Sequence, residues 1–185
     1  MKKLLKVLAH TILGDYSAYH VLCRDKTDGA AALPQQTSGY RVALVDQATI
    51  SSCPDPLMQA QAGYAGEQAF AYACMHGEQI VGLCFYWYGA RYLKRNFWQL
   101  KSAEAKLVQI ITSPQMRGKR VAGTLIAASC ADMMGHGFDR VYARVWHSNE
   151  PSLRAFAGAR WTRCASVIEV NPFRRPRPFR FRLSR

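Results

Sequence analysis

Acid is what this sequence has least of: 12 Asp and Glu stand against 25 Lys and Arg in 185 residues, a formal charge of +13. A field of that sign favours anionic partners such as phosphates, nucleotides, nucleic acid or an acidic lipid surface, and carries no information about fold. Six cysteines are present (Cys23, Cys53, Cys74, Cys84, Cys130 and Cys164), but there is no Cys-x-x-Cys pair and no histidine at zinc-finger spacing. A zinc finger or ribbon is therefore excluded. No apolar run approaches the roughly 20 residues of a membrane-spanning helix. Also missing are Gly-x-x-x-x-Gly-Lys-Ser/Thr, Gly-x-Gly-x-x-Gly, Gly-x-Ser-x-Gly and Ser-x-x-Lys. Their absence removes the P-loop, the dinucleotide fingerprint and the common serine-hydrolase signals.

What is present is ordinary globular composition, 49% hydrophobic and 20% charged. A chain of this size buries roughly 70% of its unfolded surface, so no disulfide or metal staple is needed. The expectation is one domain over 1–185, with free thiols in a reducing cytoplasm and no metal. Met1 to His10 opens like a signal peptide, but Lys6 and His10 break its apolar stretch and no cleavage site is clear.

Leu4, Leu5, Val7, Leu8, Ile12 and Leu13 recur at helical spacing with lysines between them. They read as a terminal helix packed on its own domain, or as a basic amphipathic helix for peripheral contact with an anionic membrane. The stretch 25–39 reads as a loop, Tyr40 to Val45 as a strand, and the residues to Tyr64 as helical or irregular. Ala69–Met75 and Gln79–Tyr88 form a hairpin about His76-Gly77-Glu78, and Leu107–Thr112 is a short buried strand. Ala122, Leu125, Ile126, Cys130 and Met133 mark one face of a helix stopped near Gly135. Arg140–Trp146 alternates as a strand. Ser148 and Asn149 then offer N-caps to a helix with Pro151 in its first turn, and Trp161–Val170 is another strand. This order predicts a mixed α/β (α+β) layer with a partly antiparallel sheet. The core spans 40–170, preceded by a helix and loop over 1–39 and followed by a basic tail over 171–185.

The chemistry concentrates in Leu107-Val-Gln-Ile-Ile-Thr-Ser-Pro-Gln-Met-Arg-Gly-Lys-Arg-Val-Ala-Gly-Thr-Leu-Ile126: a strand, a basic loop and a helix. A loop running into a helix N-terminus presents N–H groups without helical partners and the positive end of the helix dipole, which suits a phosphate. Gly118 permits close backbone approach, and Arg117, Lys119 and Arg120 add charge.

The segment resembles the pyrophosphate loop of the GNAT superfamily of acetyl-CoA-dependent N-acetyltransferases, Arg/Gln-x-x-Gly-x-Gly/Ala. Here Pro114 precedes Arg117-Gly-Lys-Arg-Val-Ala122, and the family's central glycine is replaced by Arg120. A side chain is tolerable there if φ is negative. A second block, Asn149-Glu-Pro-Ser-Leu-Arg-Ala-Phe156, looks like the family's Asn-x-x-Ala/Ser-x-x-x-Tyr helix. The resemblance spans about 40–170.

The resemblance implies a sheet splayed at the acetyl-CoA site, with pantetheine paired to Ile110, Ile111 and Thr112. The amides of Arg117, Gly118, Lys119, Arg120, Val121, Ala122 and Gly123 would hold the pyrophosphate, while Asn149, Ser152 and Phe156 would face the cofactor. A neutral amine would attack the thioester directly in a ternary complex, with a strand N–H stabilising the developing oxyanion and a base taking the proton. The candidates for proton transfer are Glu104, His147 and Tyr142. Phe156 occupies the place of the family's thiolate-protonating tyrosine, and Arg160-Trp161 replaces its usual Gly-Phe. On the acceptor side, Tyr86 and Tyr88 are candidate pocket walls. Arg91, in the basic loop 89–95, is a candidate ligand for an anionic acceptor.

A rival reading comes from the end of the chain. Six arginines in 171–185, interleaved with phenylalanines and free of acid, would suit a nucleic-acid or anionic-surface binding module with a vestigial cofactor site. Against it, Phe179–Leu183 alternates like an edge strand. The acceptor's identity and the choice between monomer and homodimer stay open at this point.

Overall fold

The computed structural model describes residues 15–28, 39–93, 98–171 and 179–184. The expected helix over Leu4–Leu13 lies outside them, as does most of the loop 25–39. The described residues build one sheet of eight strands in the order β2-β3-β4-β5-β6-β1-β7-β8. These are β1 (Asp15–Asp25), β2 (Tyr40–Leu44), β3 (Ala69–His76), β4 (Gln79–Trp87), β5 (Glu104–Thr112), β6 (Arg140–Trp146), β7 (Thr162–Asn171) and β8 (Phe179–Ser184). All neighbours are antiparallel except β5 and β6. A parallel pair needs a crossover, and helix α4 (Val121–Gly135) supplies it.

The strand absent from the sequence-based order is β1. It pairs β6 on one side and β7 on the other, so it joins the C-terminal strands to the rest of the sheet. The stretch between β2 and β3 forms two short helices, α1 (Gln47–Ser51) and α2 (Pro56–Gln59), capped by the Asp46 and Asp55 carboxylates.

Both faces of β4 are buried. Cys84 and Tyr86 pack with Leu125, Ile126 and Met133 of α4, while Leu83 and Phe85 pack with Ile50 of α1 and Met58 of α2. The two-sided apolar run of β4 reflects this double cover. Gly82 lies where α4 meets β4, and a Cβ there would stand 3.0 Å from Val121 Cγ1. Glycine thus lets the helix start close against the sheet. Helix α5 (Glu150–Gly158) follows β6, and Asn149 caps it by accepting from the Ser152 N–H at 3.2 Å. Within the tail, Phe179–Ser184 forms the edge strand β8, on which Phe179, Phe181 and Leu183 are exposed. Arg180 pairs with Glu169 at 2.7 Å, and the Arg182 guanidinium lies 4.0 Å from the Trp98 ring centroid.

Candidate active site

The site begins where the sheet comes apart. The parallel ladder between β5 and β6 runs from Glu104↔Arg140 to Leu107↔Ala143 and stops. Beyond it β5 follows β4 to Thr112, and β6 follows β1 to Trp146. The register of β4 on β5 passes from Tyr86↔Leu107 to Phe85↔Gln109, which makes Val108 an extra residue. A bulge bends and twists its strand, so this one turns β5 away from β6 at the end of their ladder.

The resulting cleft has a volume of about 460 Å³. Val108, Gln109 and Ile110 line one wall, Arg144, Val145 and Trp146 the other, and Asn149, Ser152 and Phe156 of α5 lie across it. Ile110, Asn149, Ser152 and Phe156, four of the residues expected to face the cofactor, thus share one cavity. Phe156 is buried and packs edge-on to Trp161, with ring centroids 5.0 Å apart.

The basic loop lies past the end of β5. A 3-10 turn over Pro114–Met116 leads to Gly118 at φ +78° and then to Arg120. The first helical bond of α4 runs from the Thr124 N–H to the Arg120 carbonyl, so the amides of Val121, Ala122 and Gly123 precede it. Arg117, Lys119 and Arg120 are exposed around that terminus. The condition for an unstrained side chain at Arg120, a negative φ, is not met: the backbone there is left-handed, φ 63° and ψ 9°. The position requires what glycine does best, and arginine adopts it under strain. Arg160, in the second substituted glycine position, repeats this at φ 60°.

The acceptor-side expectations need correction. Tyr86 is fully buried under α4, its hydroxyl 3.0 Å from Ser129 Oγ, and cannot wall an acceptor pocket. Tyr88 packs against Phe70 and Phe138, with centroids 5.8 and 5.2 Å away. Arg91 lies in a short helix, α3 (Gly89–Leu93), rather than a loop. Its guanidinium donates to the carbonyls of Gly63, Ala65 and Glu67 and stacks over Trp87, so it ties α3 to the segment before β3.

Of the proton-transfer candidates, none lies among the described residues that line the cleft. Glu104 is buried, accepting from the Lys101 N–H at 2.8 Å and the Tyr142 hydroxyl at 3.2 Å. Burial raises the Tyr142 phenol above its ordinary value. Arg140 bridges Tyr142 to Asp25. His147 is exposed, and its Nδ1–H donates to the Ala18 carbonyl at 3.0 Å. Lys106, which sequence reasoning missed, does line the cleft. Its signal was a lysine set between the apolar Ala105 and Leu107 of a strand.

Known structures share this fold. A structure of a GNAT-family acetyltransferase from Colwellia psychrerythraea superposes with a TM-score of 0.61 at 12% identity, covering 90% of this chain and 60% of that one. A Drosophila protein gives 0.58 at 10% identity, covering 94% of this chain and 57% of that one. A tandem GNAT protein from the clavulanic acid biosynthesis pathway gives 0.54 at 13% identity, covering 88% and 55%. The chain therefore spans little more than half the length of these structures. No curated protein sequence matches it. The model of the acetyltransferase (GNAT) family matches residues 39–158, which include the bulged strand, the basic loop and the Asn149 helix, and the chain belongs to that family.

Proposed function

We propose that the protein transfers an acetyl group from acetyl-CoA to the primary amine of a small molecule by direct attack in a ternary complex. The observation that carries this is the end of the β5–β6 ladder at Leu107↔Ala143, which opens a cleft beside backbone that α4 and α5 leave accessible. The residues fit the co-substrate. The amides of Val121 to Gly123 and the surrounding cations suit a pyrophosphate, and the β5 segment from Val108 to Thr112 has no β6 partner, so its backbone can pair with the pantetheine amides.

When bound, acetyl-CoA supplies an activated acyl carbon for the amine to attack. The chain's part is to align the two and to handle one proton. A strand N–H left unpaired beside the Val108 bulge would be the donor to the developing oxyanion. Tyr142 stands opposite Lys106 in the ladder and donates to Glu104; neither Tyr142 nor Glu104 lines the cleft, so the amine's proton would reach this pair only through intervening water. Arg180 and Arg182, two arginines of the rival binding reading, are engaged by Glu169 and Trp98.

Calorimetric titration with acetyl-CoA tests the proposal, using wild type and the double variant Arg117→Glu/Gly118→Pro. Micromolar binding abolished by the double change is expected, followed by amine-dependent release of free thiol. Absence of binding at low salt would overturn it.

A further inference from the structure

Gln109 puts a polar side chain in the cleft wall that the acyl-transfer reading leaves unused. It follows Val108, the extra residue of the β5 bulge, and stands opposite Phe85 of β4. Phe85 and Val108 pack with Ile50 of α1 and Met58 of α2, whereas Leu107 and Ile110 pack on the α4 side. Two residues oppose one in a bulge. Val108 and Gln109 therefore turn in succession towards α1 and α2, away from the face that α4 covers.

A chain of hydrogen bonds fixes which way the Gln109 amide points. Gln61, buried just after α2, donates from Nε2 to the Leu57 carbonyl at 3.2 Å. A carbonyl only accepts, so the other end of the Gln61 amide is its oxygen. That Oε1 accepts from Gln109 Nε2 at 3.1 Å. Turning the Gln109 amide over would set oxygen against oxygen. Gln109 is half-buried, and among the described residues no hydrogen bond reaches its Oε1. The wall thus carries a carbonyl held in one orientation, next to the bulge whose unpaired N–H is the donor proposed for the oxyanion.

A donor and an acceptor side by side match the charges that develop when an amine attacks a thioester. The nitrogen lone pair forms the C–N bond, and the carbonyl π electrons move to oxygen. The nitrogen becomes positive, so its N–H groups donate more strongly than in the free amine. A carbonyl fixed beside them binds the transition state better than the ground state. An amide oxygen is too weak a base to take the proton, so the hydrogen it holds is the one that the product keeps. The other proton leaves through water, and CoA departs as its thiolate when the C–S bond breaks. A primary amine has one hydrogen for each purpose, and a secondary amine has only one for both.

Resting on the acyl-transfer reading above, we propose that Gln109 Oε1 accepts the N–H that the attacking primary amine retains, with Gln61 as the positioning residue that holds the Gln109 amide in that orientation.

The thiol-release assay tests this with benzylamine, tyramine, phenylalanine and glucosamine, each against its N-methyl counterpart. Wild type should favour the primary member of a pair. Gln109→Met keeps the length of the side chain and removes both amide groups. It should lower kcat for the primary amine by about 10- to 100-fold, the range of a hydrogen bond to a charged group. It should leave the acetyl-CoA Kd within about twofold and narrow the primary-to-secondary ratio of kcat/KM. Gln61→Met frees the Gln109 amide to rotate and should narrow the ratio in the same direction, to a smaller extent.

A kcat within about twofold of wild type in Gln109→Met, a loss confined to acetyl-CoA binding, or an unchanged primary-to-secondary ratio overturns the proposal. If Gln109→Met does not fold, the double variant Gln61→Met/Gln109→Met decides, because it leaves neither amide without its partner. If wild type turns over none of the amines, the acyl-transfer reading falls and this proposal falls with it. If wild type turns over and the variants match it, this proposal alone falls.

Discussion

Arg120 offers a quantitative check on the site's backbone. It begins α4 in the left-handed region, at φ 63°, with no side-chain capping bond. An L side chain there loses about 1–2 kcal/mol relative to glycine. Arg120→Gly removes that strain, but a new glycine loosens the unfolded chain by about 0.4–1 kcal/mol. The net expectation is stabilisation by about 0.5–1 kcal/mol, or a rise in Tm of about 1–4 °C at this chain length. Arg120→Asn should match or exceed it, because asparagine tolerates this backbone and can cap the helix. Arg120→Ala keeps the strained φ and should gain nothing. Urea unfolding followed by circular dichroism measures all three, and a glycine variant no more stable than the alanine variant would refute the reasoning. Arg160 at φ 60° makes a parallel case, because its carbonyl bond from Arg24, 2.8 Å, is a backbone contact that Arg160→Gly retains.

Asn149→Ala should cost about 1 kcal/mol through loss of the α5 cap, seen as a lower urea midpoint. It should also weaken acetyl-CoA binding in calorimetry, because the residue lines the cleft. Burial would raise the Glu169 carboxyl, but hydrogen bonds from Tyr19 and Arg180 outweigh it and hold the group below its ordinary value. A depressed carboxylate stabilises the fold above its unfolded pKa of about 4.3, and that stability is lost as pH falls through the lower folded value. Glu169→Gln should therefore flatten the acid limb of the stability profile between about pH 5 and 2. An unchanged slope would count against this account.

Much of the fold was legible because the pattern and the burial coincide. The hairpin of β3 and β4, the α4 face and the Asn149 cap all fall where periodicity and capping residues place them. Strand β1 was not legible. Its alternating Tyr19, Val21 and Cys23 face is interrupted in sequence by His20 and Arg24, which find partners only in the folded sheet, at Ser166 and at the Ala159 and Arg160 carbonyls. The residues proposed to hold the cofactor could be picked out because backbone geometry dictates a short motif. Those proposed for the acceptor could not. Aromatic residues such as Tyr86 mark core and pocket alike, and the identity of the face across β5 depends on a bulge with no fixed sequence mark. Arg120 shows the converse, a motif position whose glycine requirement persists in the backbone after the glycine has gone.

The divergence of β5 and β6 has a topological result. An ordinary open sheet has two edges, here β2 and β8. This one acquires a second pair in its interior, where Val108 to Thr112 and Arg144 to Trp146 face each other without pairing. Free edges invite other polypeptides to add a strand, a hazard that exposed edges must meet with charge, twist or brevity. The inner edges meet it through confinement. They lie inside a cleft of about 460 Å³ whose lining also includes Asn149, Ser152 and Phe156, so an added strand would have to share that space with them. If the proposed function holds, what takes a strand's place between these inner edges is the pantetheine arm, a run of methylenes and amides with no side chains to accommodate.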